Sequence, residues 1–128
     1  MTTTFQEIKA AYETFANTWK TNDGASVARA FTEDGTLINP FGERADGRAA
    51  VGAMYTQYFG TILRGTSTTI ALANVRALGA DHAFADAAQI ISGPDGNVVL
   101  TCHLAALLRR EGDGWRFVDA RPYTFPKP

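Results

Sequence analysis

The sequence is poor in the residues that build metal centres and covalent cross-links. Cys102 is the one cysteine among 128 residues, and His82 and His103 are the two histidines. A lone cysteine excludes an intrachain disulfide and a cysteine metal cage. Two histidines, with His82 at a turn, leave a histidine metal site short of ligands. Charge of one sign is missing too, since 12 basic residues face 13 acidic ones for a net charge of -1. Without a basic excess the electrostatic footprint of a nucleic-acid binder is absent. No run of like charges marks a tail or a membrane patch. No apolar run approaches the roughly 18 residues of a spanning helix. The polar start, Met1 to Glu7, carries no signal-peptide pattern, so the expected location is the cytoplasm. There is no glycine-rich phosphate loop, no His-Glu-x-x-His and no Gly-x-Ser-x-Gly. No nicotinamide, flavin or other cofactor is expected.

What is present is an ordinary core-forming composition, with 45% apolar and 20% charged residues. The length predicts one domain, residues 1–128. Phe5, Ile8, Tyr12, Phe15 and Trp19 recur at three- and four-residue steps and predict a helix over 5–20. A second, short helix is expected over 24–31, then a turn at Thr32–Gly35 and a strand at Thr36–Asn39. Residues 41–47 read as a loop or short hairpin. Val51, Met54, Tyr55, Tyr58 and Phe59 place a third helix over 48–62.

Residues 66–78, 82–92, 98–110 and 115–125 read as four strands separated by glycine-rich turns, including Gly93-Pro94-Asp95-Gly96-Asn97 and Glu111-Gly112-Asp113-Gly114. The tail Pro126-Lys127-Pro128 ends pairing. Helices followed by an antiparallel meander define an α+β layer. The third long strand carries Leu100, Cys102, Leu104, Ala106 and Leu108 on one face, but also Ala105 and Leu107 on the other. A strand with one wet face alternates apolar and polar residues. This pattern predicts a homodimer through the sheet; the alternative is that the small Ala residues stay exposed.

Polar residues in apolar surroundings are the candidates for chemistry, because burying them without partners is costly. They are Asn39, Asp86, Gln89, His103, Asp119, Arg121 and Tyr123. His103 can act as a general acid or base, or hydrogen-bond across the sheet or at the dimer face. Two-residue periodicity puts Trp115, Phe117, Asp119, Arg121 and Tyr123 on one strand face. There Asp119 and Arg121 either neutralise each other or leave Arg121 to hold a substrate oxygen. Asn39 can hydrogen-bond but is not a base. Phe15, Trp19, Phe31, Phe41, Tyr55, Tyr58 and Phe59 form an aromatic set that is core in part and pocket lining in part. Cys102, within an apolar run, reads as a buried thiol.

The segment Trp19-Lys20-Thr21-Asn22-Asp23, then Val27 to Gly35, resembles the nuclear transport factor 2-like signature, as do Gly47-Arg48-x-x-Val51 and the closing Arg109 to Phe117. The resemblance implies a cone-shaped, curved antiparallel sheet packed against three N-terminal helices. Within that superfamily the chain is similar to SnoaL-like and SgcJ/EcaC-type proteins, often encoded with bacterial natural-product pathways. It is distantly similar to ketosteroid isomerases, whose catalytic-base segment aligns without gaps with Phe31 to Gly42. Asn39 then stands where those enzymes carry the Asp base, and Phe15 where they carry an oxyanion-holding Tyr. Their second oxyanion residue falls near His103 or Ala105, which implies that His103 faces the pocket.

The expected rim and floor are therefore Phe15, Trp19, Asn39, Tyr58, His103, Arg121 and Tyr123, with Phe41, Tyr55 and Phe59 as further ligand contacts. One reading is a cofactor-free isomerase, cyclase or dehydratase acting on an apolar polyketide-like or terpenoid metabolite. His103 would be its acid/base, aided by Asp119 and Arg121. The other is a metabolite-binding or accessory protein with the same pocket and no chemistry. A third is a dimerisation module whose cone is filled.

Overall fold

The computed structural model describes residues 3–112 and 114–125. The readings made for Met1, Thr2, Asp113 and the tail Pro126 to Pro128 lie outside the described residues. Helix α1, Thr4–Thr18, begins at a capping box. The Thr3 hydroxyl accepts from the Gln6 amide at 3.1 Å, and the Gln6 side chain accepts from the Thr3 amide at 3.0 Å. The helix buries Ile8, Tyr12 and Phe15, and a turn of 3-10 helix, Trp19–Thr21, carries Trp19 into the core. Asn22 at φ 51° stops the turn. Helix α2, Gly24–Ala28, is capped by Asp23 and packs on α3, Arg48–Phe59. A Cβ at Gly24 would lie 2.2 Å from the Gly52 carbonyl, so glycine is required for that approach.

The strands are β1 Phe31–Ile38, β2 Arg44–Asp46, β3 Ser67–Ala77, β4 His82–Ser92, β5 Val98–Glu111 and β6 Gly114–Tyr123. They form one sheet in the order β2-β1-β6-β5-β4-β3. The meander β3 to β6 is antiparallel, while β1 lies parallel to β6. The α+β architecture, with three helices on a curved and mostly antiparallel sheet, is the expected one.

Three local readings are corrected. Helix α2 ends at Ala28, short of residue 31, and Thr32–Gly35 belongs to β1 where a turn was expected. Tertiary contacts override the turn-forming residues there. The Phe117 amide donates to the Ala30 carbonyl at 2.8 Å. The Arg48 guanidinium donates twice to the Phe31 carbonyl, at 2.9 and 2.6 Å. Thr32 is fully buried. Helix α3 likewise ends at Phe59, and Gly60 caps it.

The core lies between the helices and the inner face of the sheet. Aromatic rings from both layers meet there edge to face. Tyr12 and Phe15 each lie 5.2 Å from Phe117, and Trp19 lies 5.5 Å from Phe59. Pairs in this geometry add roughly 0.5–1.5 kcal/mol each beyond the area they bury.

Candidate functional site

A single extra residue in β6 decides which side chains reach the interior. Leu108 pairs with Phe117 and Leu107 with Asp119, so Val118 is left over as a β-bulge. Before the bulge Trp115 and Phe117 point inward; after it Ala120 and Pro122 do. Asp119, Arg121 and Tyr123 consequently stand on the outer face. Unbroken alternation would have put them beside Phe117, and that expectation is corrected.

His103 is also outside. Its neighbours Cys102 and Leu104 are buried on the inner face, and the period of two turns His103 the other way. It stacks on Tyr123 at 5.4 Å and meets Phe125 edge-on at 4.6 Å. Arg121 is engaged by Asp119 at 2.9 Å. Asp86 shares this face, opposite Ala105. The expected catalytic trio thus forms an outer cluster, separated from the interior by the thickness of the sheet.

The interior holds a cavity of about 80 Å³. It lies among the end of α3, the β1–β2 turn and the inner faces of β4 and β5. Of the expected contacts it is lined by Trp19, Asn39, Phe41, Tyr55 and Tyr58. Phe15 and Phe59 do not line it. Phe15 packs against Trp19, Phe31, Tyr55 and Phe117, and Phe59 stacks on Tyr55 at 6.0 Å. Both are core because the helices press them into the aromatic cluster.

The cavity is smaller than the roughly 150 Å³ that admits benzene. It is far below the roughly 300–1,000 Å³ of a drug-sized pocket. The cone is therefore largely filled by its own aromatic side chains. Its mouth continues outward, however. Phe41 and Ile62 both line the cavity and are 67% and 54% exposed, which makes an apolar lip.

Asn39 at the mouth is committed to the turn. Its side-chain oxygen accepts from the Phe41 and Glu43 amides at 3.0 and 2.9 Å, and its Nδ2 donates to the Glu43 carboxylate at 2.9 Å. The Tyr58 hydroxyl donates to the same carboxylate oxygen. Glu43 was missed in the sequence. The signal was there, since Asn-Pro-x-Gly is a tight-turn string and Gly42 adopts φ 84°, which brings residues 39 and 43 together.

Deeper in, Gln89 is buried, because it shares the inward phase of β4 with Ala87 and Ile91. Its Nε2 donates to the Thr68 hydroxyl at 3.2 Å, and its oxygen accepts from the Cys102 thiol at 3.3 Å. Burial pushes the Cys102 thiol up to about 11, so it is no nucleophile near neutrality. Burial, with a smaller push from Cys102, holds the Tyr55 phenol above the usual tyrosine range. Among the described residues lining the cavity there is no carboxylate, imidazole, ammonium or guanidinium. The described residues also contain no group of three His, Cys, Asp or Glu that could hold a metal, and no helix long and apolar enough to cross a membrane.

The fold is shared with solved structures of low sequence identity. A cystatin-like-fold domain of unknown function from Nostoc punctiforme superposes with a TM-score of 0.85 at 21% identity, over 98% of this chain and 81% of that one. A ketosteroid isomerase-like protein from Erwinia carotovora gives 0.74 at 21% identity, over 99% and 100%. An NTF-2 like protein of unknown function from Shewanella oneidensis gives 0.77 at 13%, over 92% and 97%. No curated protein matches the chain by sequence. The SnoaL-like domain model matches residues 8–120, and the chain belongs to that family.

Proposed function

We propose that this chain binds a small, uncharged and largely apolar molecule, or the apolar end of a larger one, in the cavity behind Phe41 and Ile62. The carrying observation is the absence of any charged side chain among the described lining residues. General acid–base chemistry needs a group with a proton affinity near the working pH within reach of the substrate. The lining supplies only Tyr and Cys side chains, and Tyr55 and Cys102 are shifted away from that range by burial. A cyclase or isomerase working through His103 lacks support, because that ring lies across the sheet. The accessory or metabolite-binding reading is the one the geometry favours.

Titration with small apolar molecules, followed through the methyl signals of Met54 and Leu63, tests this. Filling the cavity with Leu63→Trp is expected to abolish the shifts, and His103→Ala to leave them intact. The opposite pattern would overturn the reading.

The outer face supports a second copy of the chain as partner. Phe84, Ile90 and Tyr123 are each exposed by more than a third there, around Ala88, Ala105 and Leu107. Apolar patches of this kind mark association surfaces. Sedimentation is expected to show a dimer that Ala88→Arg converts to monomer; a monomeric parent protein would end the idea.

A further inference from the structure

A second hollow, a groove of about 630 Å³, lies between α1, the end of α2 and the start of β6. That volume is within the roughly 300–1,000 Å³ of a small-molecule site. Small side chains make it concave. Helix α1 presents Ala10, Ala11, Thr14 and Thr18 to it, where bulkier residues would close the gap to β6. The groove shares no lining residue with the interior cavity.

Its charges differ as well. Three charged residues line it, Glu7, Arg29 and Arg116. Glu7 is engaged, since Arg110 and the Trp115 indole each donate to its Oε1 at 3.3 Å. Arg116 approaches one oxygen of Glu111 at 3.6 Å, while Arg109 holds the other oxygen at 2.7 Å. Arg29 is exposed and forms no ion pair and no side-chain hydrogen bond among the described residues. The two arginines stand close together in the backbone framework. Each adjoins one member of the pair Ala30 and Phe117, whose carbonyl and amide are bonded at 2.8 Å. Two cations against one carboxylate leave the lining with one positive charge in excess.

We infer that this groove is a second binding site and takes a monoanionic amphipathic molecule, an organic carboxylate with an apolar body. The inference stands apart from the reading of the interior cavity. A carboxylate fits the guanidinium fork and can accept two parallel hydrogen bonds from it. Its single charge matches the single excess, whereas a phosphate monoester carries close to two. The apolar body then lies along Ala10, Ala11 and Ala30, and its burial there adds to the affinity.

The test compares octanoate with 1-octanol, one chain with and without the charge. Binding is followed through the methyl signals of Ala11 and Ala30 for the groove, and of Met54 and Leu63 for the interior. Octanoate is expected to shift the groove methyls and to bind there at least tenfold more tightly than octanol. Arg29→Gln is expected to weaken octanoate in the groove by about tenfold and octanol by less than about twofold. Lys20→Gln, which removes an exposed cation that does not line the groove, should alter neither. Thr14→Trp fills the groove from an exposed helix position and should abolish the groove shifts of both.

Equal affinity for octanoate and octanol, or no loss in Arg29→Gln, would overturn the inference. An equal loss in Lys20→Gln would overturn it too, because general charge attraction would then suffice. If octanoate moves Met54 and Leu63 but leaves Ala11 and Ala30 in place, the groove is no site and the interior reading stands. Groove shifts with unmoved interior methyls support the groove and count against the interior reading alone.

Discussion

The two faces of strand β5 are built from alternate residues of one segment, yet they carry different chemistry. Inward, Cys102, Leu104, Ala106 and Leu108 are buried against the helices, and Cys102 bonds Gln89 at the wall of a cavity. Outward, Thr101 and His103 are exposed and Ala105 and Leu107 half-buried, beside an aromatic cluster and an ion pair. The outer face looks the more catalytic in sequence, with its His, Asp, Arg and Tyr. The inner face holds the enclosed space. Residue types that could do chemistry and a space that could hold a substrate are thus on opposite sides of the sheet. Catalytic potential follows from placement, and composition alone misassigns it.

The sharpest way to break this comparison is to exchange the character of neighbouring residues after the bulge. Ala120→Asp puts a carboxylate on the inner face, where Ala120 is 2% exposed. More than about 4 kcal/mol of stability should be lost, by burial of an unpaired charge. If denaturant unfolding shows little change, the assigned phase of β6 is wrong. Next, Leu104→Ala should cost about 2–5 kcal/mol through a core cavity. The same change at Leu107, three residues on and facing outward, should cost the isolated chain less than about 1 kcal/mol.

A pH effect of intermediate size separates the faces as well. The unfolded thiol of Cys102 releases its proton above about 9.0, while the folded one holds it to about 11. The unfolded state therefore gains from rising pH over that window. The stabilising contribution is complete below pH 9 and is lost as pH climbs through 11. Cys102→Ala should flatten that part of the stability profile, whereas His103→Ala should not. The smallest effect belongs to the outer ion pair. Asp119→Ala should change stability by about 0–1 kcal/mol, as exposed pairs do. A larger loss, read from thermal unfolding, would mean that this pair is covered in solution.

The legible part of the site is the part built on helix periodicity. Trp19, Tyr55 and Tyr58 were placed at the cavity by apolar spacing, and helices do not slip phase within two turns. Asn39 was placed by its alignment with the ketosteroid isomerase base position, and Phe41 as one of the aromatic set. The outer cluster was misplaced because strand parity flips with one inserted residue. Even so, Trp115-x-Phe117 followed by Ala120-x-Pro122 is an apolar pattern with one skipped position, and it marks the bulge. Phe15 and Phe59 were assigned to the pocket because aromatic character does not distinguish a lining residue from a filling one. Glu43 was overlooked because its partner Asn39 is brought to it by a backbone turn.

By itself the sequence determined the layers, the number and order of the main elements, the turns between the long strands and the poverty of metal-binding and charged chemistry. These are local or additive properties, set by periodicity, turn residues and composition. Only the tertiary structure decided that β1 runs beside β6, that Thr32 to Gly35 is strand, and that the cone is nearly filled. It alone put His103, Asp119 and Arg121 outside. Each of these depends on how distant segments share volume and hydrogen bonds, and one bulged residue is enough to exchange the faces of a strand.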